Sequence, residues 1–200
     1  MSDYILVLDE GTTSTRAMLF ASDGVLVASA QEPLTQHYPQ AGWVEHDPRE
    51  IWEKTLACAQ AMLPKAGGAA MIAAIGITNQ RETVVAWDRV TGEPLTNAIV
   101  WQDRRTEPFC AQLRAAHHEA GVQARTGLLL DPYFSGTKMR WMLDNVAAVK
   151  AAADKGTLAF GTVESWLTWK LTGGAAHITD ASNASRTLLM GLEDAQFDEG

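Results

Sequence analysis

The sequence predicts an α/β fold on a mixed sheet. Three features predict it: an antiparallel meander of apolar segments at the start, a capped amphipathic helix after it, and a nearly continuous apolar run after the helix. Ile5-Leu6-Val7-Leu8 and Ala17-Met18-Leu19-Phe20 have the length of buried strands and are joined by a short polar connection. Asp23-Gly24 between that second run and Val25-Leu26-Val27-Ala28 is a hairpin signal, which completes the meander. Residues 32–46 show neither the helical nor the strand period and read as a long surface loop. Asp47 is a good N-cap, Pro48 suits the first helical position, and Glu50 completes an Asp-x-x-Glu capping box. Trp52, Leu56, Ala59 and Leu63 recur at helical spacing, flanked by Thr55 and Met62, and Pro64 is expected to stop the helix. Residues 71–78 then predict a parallel strand covered on both faces, with helices on both faces of the sheet.

Residues 83–87 and 98–101 follow as strand candidates, linked through the turn-rich segment 88–92. A helix is expected over 107–120 with Gly121 as its stop, and another over 135–145. Residues 158–160 suit a short strand, after which Thr162 caps a helix carrying Trp166, Leu167 and Leu171 and ended by Gly173-Gly174. From residue 181 the pattern weakens and the chain stops without a closing element, so 1–200 is expected to be a domain incomplete at its C-terminal end.

Composition bounds the function. A 46% hydrophobic content over 200 residues builds a real core. A net charge of −8 without any Lys/Arg cluster argues against a nucleic-acid partner. Cys58 and Cys110 have no metal-ligand spacing and form no disulfide framework, no cleavable leader is visible, and no apolar run approaches the ~20 residues of a membrane helix. The expectation is a cytoplasmic protein without membrane insertion. The five histidines lack ligand spacing, and no Ser or Cys has the context of a nucleophile.

Two stretches carry chemistry. In Asp9-Glu10-Gly11-Thr12-Thr13-Ser14-Thr15-Arg16, Gly11 permits close backbone approach and the hydroxyls add donors, a concavity that suits phosphate. Asp9 is placed to hold a hydrated Mg²⁺, and Arg16 adds positive charge. A strand follows and no Gly-Lys-Ser/Thr, so this is no Walker A loop; taken alone it reads equally as a solvated polar turn. In Gly76-Ile77-Thr78-Asn79-Gln80-Arg81-Glu82-Thr83 an apolar strand delivers polar residues to the carboxyl edge of a sheet, where open α/β folds bind ligands. Arg81 only donates and Glu82, ionised, only accepts, a pair that suits vicinal hydroxyls and also suits a surface ion pair. Trp101 offers an apolar wall or ordinary core packing, and Tyr133 either projects its hydroxyl into a cleft or anchors a loop.

Several long stretches in order, Leu8-Asp9-Glu10-Gly11-Thr12-Thr13-Ser14, Gly42-Trp43-Val44-Glu45-His46-Asp47-Pro48, Ile75 through Thr83, Asn97-Ala98-Ile99-Val100-Trp101-Gln102 and Asp131 through Lys138, resemble the amino-terminal half of the glycerol kinases. These are members of the FGGY carbohydrate kinase family, with an actin-like ATPase fold related to ribonuclease H. The resemblance implies ATP-dependent phosphorylation of glycerol to glycerol 3-phosphate by the full-length protein, with ATP and Mg²⁺ as cofactors. It makes Thr12, Thr13, Ser14 and Arg16 the phosphate-binding set, Asp9 the Mg²⁺-associated carboxylate through water, and Arg81, Glu82, Trp101 and Tyr133 the glycerol set. It further implies a homo-oligomer at full length. The general base and the carboxy-terminal nucleotide-binding domain are expected beyond residue 200, so this piece alone is expected to be inactive. Glu10 departs from the usual Gln, and the sequence leaves open whether its carboxylate disturbs the phosphate loop. The alternatives are another polyol or sugar kinase of the family, or a non-catalytic actin-like nucleotide-binding module.

Overall fold

The chain forms two compact units, Met1–Gln36 with His46–Gln80 and His37–Glu45 with Arg81–Gly200. The computed structural model describes residues 4–198. In the first unit β1 (Tyr4–Glu10), β2 (Ser14–Ala21) and β3 (Leu26–Pro33) form the expected meander. The two-residue strand β4 (Glu45–His46) precedes α1 (Pro48–Ala66), which leads to β5 (Ile72–Asn79). The sheet order is β3-β2-β1-β5, with β1 antiparallel to β2 and parallel to β5, so the mixed sheet stands.

Strand alternation decides what lies beneath α1. Leu6, Leu8 and Glu10 of β1 and Thr15, Ala17 and Leu19 of β2 are buried, and α1 packs on β1, β2 and β3. On α1 the buried residues are Ile51, Thr55, Cys58, Ala59, Met62 and Ala66, a stripe rotated from the expected one, because Thr55 and not Trp52 faces the polar pair Glu10 and Thr15. Asp47 caps the helix through Arg49 N (2.8 Å), but Glu50 is no capping-box partner; it accepts from Thr35 and Lys54 instead. Pro64 does not stop the helix, which runs to Ala66 and closes at Gly67 in the left-handed conformation (φ 84°). Within this unit α1 supplies the helical layer on one face. β5 is parallel as expected but lies at the sheet edge with Ala73, Ala74 and Ile75 exposed, so the double cover its apolar run predicts is not provided by the described residues.

In the second unit β6 (Val85–Asp88) pairs antiparallel with β8 (Leu158–Gly161), and β7 (Ala98–Ile99) lies beside Val84. Among the described residues six helices accompany them: α2 (Glu107–Ala115), α3 (Glu119–Thr126), α4 (Ser135–Asn145), α5 (Ala147–Asp154), α6 (Val163–Leu171) and α7 (Ala181–Ala184). Val84, Ala86, Ile99, Met142 and Val149 form one core cluster, and Trp87 packs on Trp166 and Trp169. The single helix expected over 107–120 is two, broken where His117 turns left-handed (φ 63°), and Gly121 lies inside α3 while Gly127 ends it. Arg105 organises this unit: its guanidinium stands 3.8 Å from the Trp43 ring and 4.7 Å from the Trp141 ring, and it bonds Asp103 and Glu45. Val44 N donates to Asp103 as well (2.7 Å), so residues 42–45 serve the scaffold of this unit.

Candidate functional site

In the first unit β1 ends in two carboxylates that alternation sends to opposite faces. Asp9 lies opposite Arg16 of β2 and beside Thr78 of β5, on the face away from α1. Between the strands Gly11 N donates to Ser14 O at 3.0 Å, and a Cβ on Gly11 would stand 3.1 Å from that oxygen, so the tight turn favours glycine. All three loop carbonyls are engaged from within the unit: Gly11 O accepts from Gln80 Nε2 (3.0 Å), Thr12 O from Gln36 Nε2 (3.4 Å) and Thr13 O from Leu34 N (2.9 Å). Lone pairs that would repel an anion are thereby engaged, an arrangement compatible with the phosphate cradle expected from the sequence. Thr13 is exposed, and Thr12, Ser14 and Arg16 are half-buried. Gln31 bridges two of the expected ligands, donating to Ser14 Oγ (2.9 Å) and accepting from Arg16 Nε (3.1 Å). Thr15 does not join this cradle; it is fully buried and bonds Thr55 (3.0 Å).

The Glu10 question resolves on geometry. Its side chain lies in the core under α1 and accepts from Thr55 Oγ1 (2.8 Å), while its Oε1 has no hydrogen-bond partner among the described residues. Burial pushes its carboxyl up to about 7 against the hydroxyls of Thr15 and Thr55, with the charge of Asp9 adding to the rise. Backbone bonding at this position is regular, since Glu10 O accepts from Gln80 N (2.7 Å). The cradle is therefore left intact by a carboxylate that faces the other way.

Among the described residues no three His, Cys, Asp or Glu side chains come together as a metal cage. Mg²⁺ keeps several waters and takes one or two carboxylates plus phosphate oxygens, so a single half-buried Asp9 beside a phosphate cradle fits that ion and not a fully protein-ligated one.

The second unit gathers the other expected residues. The Trp101 and Tyr133 rings meet edge to face at 5.7 Å. Glu82 is buried and sits in the left-handed conformation (φ 64°), which costs a non-glycine residue roughly 1–2 kcal/mol. Its carbonyl is held by Ser135 Oγ (3.2 Å) and by Lys138 Nζ (3.4 Å), which also donates to the carbonyls of Tyr133 and Phe134. A surface ion pair between Arg81 and Glu82, the alternative reading of that stretch, is not what the carboxylate makes. Arg81 is exposed, and the guanidinium at Glu82 is that of Arg186, with Nε 2.6 Å from Oε1. The Arg186 guanidinium also stands 5.5 Å from the Tyr133 ring and 4.8 Å from the Phe134 ring. Sequence reading missed Arg186, Lys138, Gln31 and Gln80. Two of them left a signal, Gln80 inside the Gly76–Thr83 stretch and Lys138 inside the Asp131–Lys138 stretch. Burial pushes its ammonium down to about 7, opposed by the charges of Asp103, Glu82 and Asp131. An aromatic pair beside an ionised acceptor is chemistry for a small molecule with a carbon backbone and hydroxyls.

A model of the N-terminal domain of the FGGY family of carbohydrate kinases matches residues 4–200. The chain is 61% identical over 197 residues to the glycerol kinase of Delftia acidovorans and 60% identical over 197 residues to that of Koribacter versatilis, in each case covering 98% of this chain and 40% of the relative. Among solved structures, Plasmodium falciparum glycerol kinase with ADP superimposes with a TM-score of 0.91 at 37% identity, covering 98% of this chain and 39% of that one. Xylulose kinase from Rhodospirillum rubrum gives 0.84 at 27% identity, covering 98% and 39%. The chain thus spans about 40% of the length of the curated relatives it matches.

Proposed function

The chain belongs to the FGGY family of carbohydrate kinases, whose N-terminal domain it matches, and from that premise we propose that the protein containing it transfers the γ-phosphoryl group of ATP to glycerol, giving sn-glycerol 3-phosphate. The observation that carries the substrate reading is the cluster of Glu82, Arg186, Tyr133 and Trp101 in one unit, since it offers an acceptor, donors and an aromatic wall. Two relatives with about 60% identity bear the name glycerol kinase, which supports glycerol over other polyols.

In this reading Arg81, Glu82 and Tyr133 bond the glycerol hydroxyls, and Trp101 packs on its carbons. Holding the substrate in one pose is where these residues lower the barrier. The loop donors at Thr12, Thr13 and Ser14, with Arg16, bind the nucleotide's phosphates and stabilise the charge that spreads over the transferring group. Asp9 would hold the Mg²⁺, which when bound would neutralise phosphate charge. The general base and the adenine pocket belong to the remaining length of the protein, as a second, nucleotide-binding domain. Cys58 and Cys110, both buried free thiols, support a reducing, cytoplasmic setting.

A substrate panel on the full-length protein tests the reading. ATP-dependent turnover of glycerol, erythritol and the common pentuloses is compared, and kcat/KM is expected to be highest for glycerol. A larger polyol or a pentulose in first place overturns the substrate. The 200-residue chain alone is expected to give no turnover.

A further inference from the structure

We propose that Arg186 is a positioning residue for the polyol, holding the Glu82 carboxylate and the Tyr133 ring in the orientation that receives the substrate's hydroxyls, an inference that rests on the glycerol reading above. Glu82 arrives with its backbone already committed: a left-handed residue whose carbonyl is fixed by Ser135 and Lys138 leaves only the side-chain torsions to choose where the carboxylate points. Arg186 makes that choice. Its Nε donates to Oε1 at 2.6 Å, and the side-chain exposures, 28% for Arg186 and 3% for Glu82, make the carboxylate the desolvated partner. A buried carboxylate keeps its charge most readily beside a cation, and the neighbouring Arg81 is turned to solvent.

The arginine is itself held. α7 is capped by Asp180, which accepts from Asn183 N (3.0 Å), and Arg186 N returns to Asn183 O (2.9 Å). Ser135 N donates to Arg186 O (3.4 Å) and Gly136 N to Thr187 O (2.7 Å), which ties the segment to the first turn of α4. Gly136 permits the approach, because a Cβ there would stand 2.7 Å from Thr187 O. The guanidinium, 4.8 Å from the Phe134 ring and 5.5 Å from the Tyr133 ring, keeps Glu82 and Tyr133 in register through one planar group. Lysine keeps the charge but loses both the fork and the stacking plane.

The test uses the full-length protein with Arg186→Ala, Arg186→Lys and Glu82→Gln, singly and as doubles. Arg186→Ala is expected to raise the glycerol KM about 30-fold or more, as expected when one partner of a buried charge pair is lost. The loss should fall on glycerol KM more than on kcat, with the ATP KM within about twofold, a split that general loosening of the unit does not give. Arg186→Lys should recover part of the loss. Adding Arg186→Ala to Glu82→Gln should cost little more than Glu82→Gln alone, because both act through one carboxylate. If Arg186→Ala does not fold, the glycerol KM of Arg186→Lys, alone and with Glu82→Gln, decides. Wild type that turns over glycerol while the Arg186 variants keep its KM, or strictly additive losses, overturns this inference alone. Wild type without glycerol turnover overturns the glycerol reading and the inference together.

Discussion

The proposed phosphate loop and the proposed polyol set are held by opposite means. The loop in the first unit is fixed by neutral groups: a glycine turn, and the carbonyls of Gly11, Thr12 and Thr13 tethered by Gln80, Gln36 and Leu34. The proposed polyol set in the second unit is fixed by cationic side chains, with Lys138 on three carbonyls and Arg186 on the buried Glu82. The difference fits what each is proposed to bind. A cradle for a polyanion keeps neutral tethers behind it and saves its charges for the ligand, whereas a site for an uncharged polyol must hold an ionised acceptor in a dry place, which requires compensating cations.

That contrast is broken most severely at Lys138. Lys138→Met removes the donor shared by three carbonyls and loosens the strained turn at Glu82, and is expected to cost about 3 kcal/mol or more in denaturant unfolding. The pH dependence has a definite sign. The folded-state value of about 7 lies below the ordinary 10.5, so the unfolded chain binds more protons between those limits. Wild-type stability should therefore rise with pH through that window, by at most about 1.4 kcal/mol per unit from this group, and methionine cannot titrate. The gap between wild type and variant should widen as pH rises from 7. A variant as stable as wild type would erase the contrast.

Neutral tethers should cost less. Thr55→Val removes the donor to Glu10 and the partner of Thr15 with little change of shape, and is expected to cost about 1–2 kcal/mol in the same measurement. Gln31→Ala, at an exposed position, should leave stability within about 0.5 kcal/mol and raise the ATP KM of the full-length protein about threefold, since Ser14 and Arg16 lose their bridge. An ATP KM that does not move would remove Gln31 from the account of the loop.

The two sites also differ in how far they can be read from sequence. The loop is local: strand alternation from Leu6 to Leu19, a glycine and a run of hydroxyls sit within a few residues, so its place in the fold was legible, with Thr15 lost to the buried side of the alternation. Glu82 and Arg186 are 104 positions apart, and no periodicity links them; adjacency suggested Arg81 instead. A fully buried lysine runs against the rule that charges lie outside, so the stretch that contains Lys138 was legible but its burial was not. β5 shows the reverse failure, an apolar run that promises cover on both faces at a strand the described residues leave on the edge.

The mildest substitution sharpens the comparison most, because it asks whether the neutral side of the contrast extends to a carboxylate. Glu10 stands within the loop sequence, and an ionised side chain aimed at the phosphates would repel them. Its place under α1, opposite in face to Asp9 and bonded to Thr55, says otherwise. Glu10→Gln keeps the volume and an acceptor for Thr55 while removing the charge. If the carboxylate is a core group, stability should change by less than about 1 kcal/mol and the ATP KM of the full-length protein should hold within about twofold. If it faces the nucleotide instead, loss of the charge should tighten ATP binding several-fold, in proportion to the Coulomb repulsion removed. A several-fold fall in the ATP KM would therefore place a charge in the cradle that this geometry puts behind it.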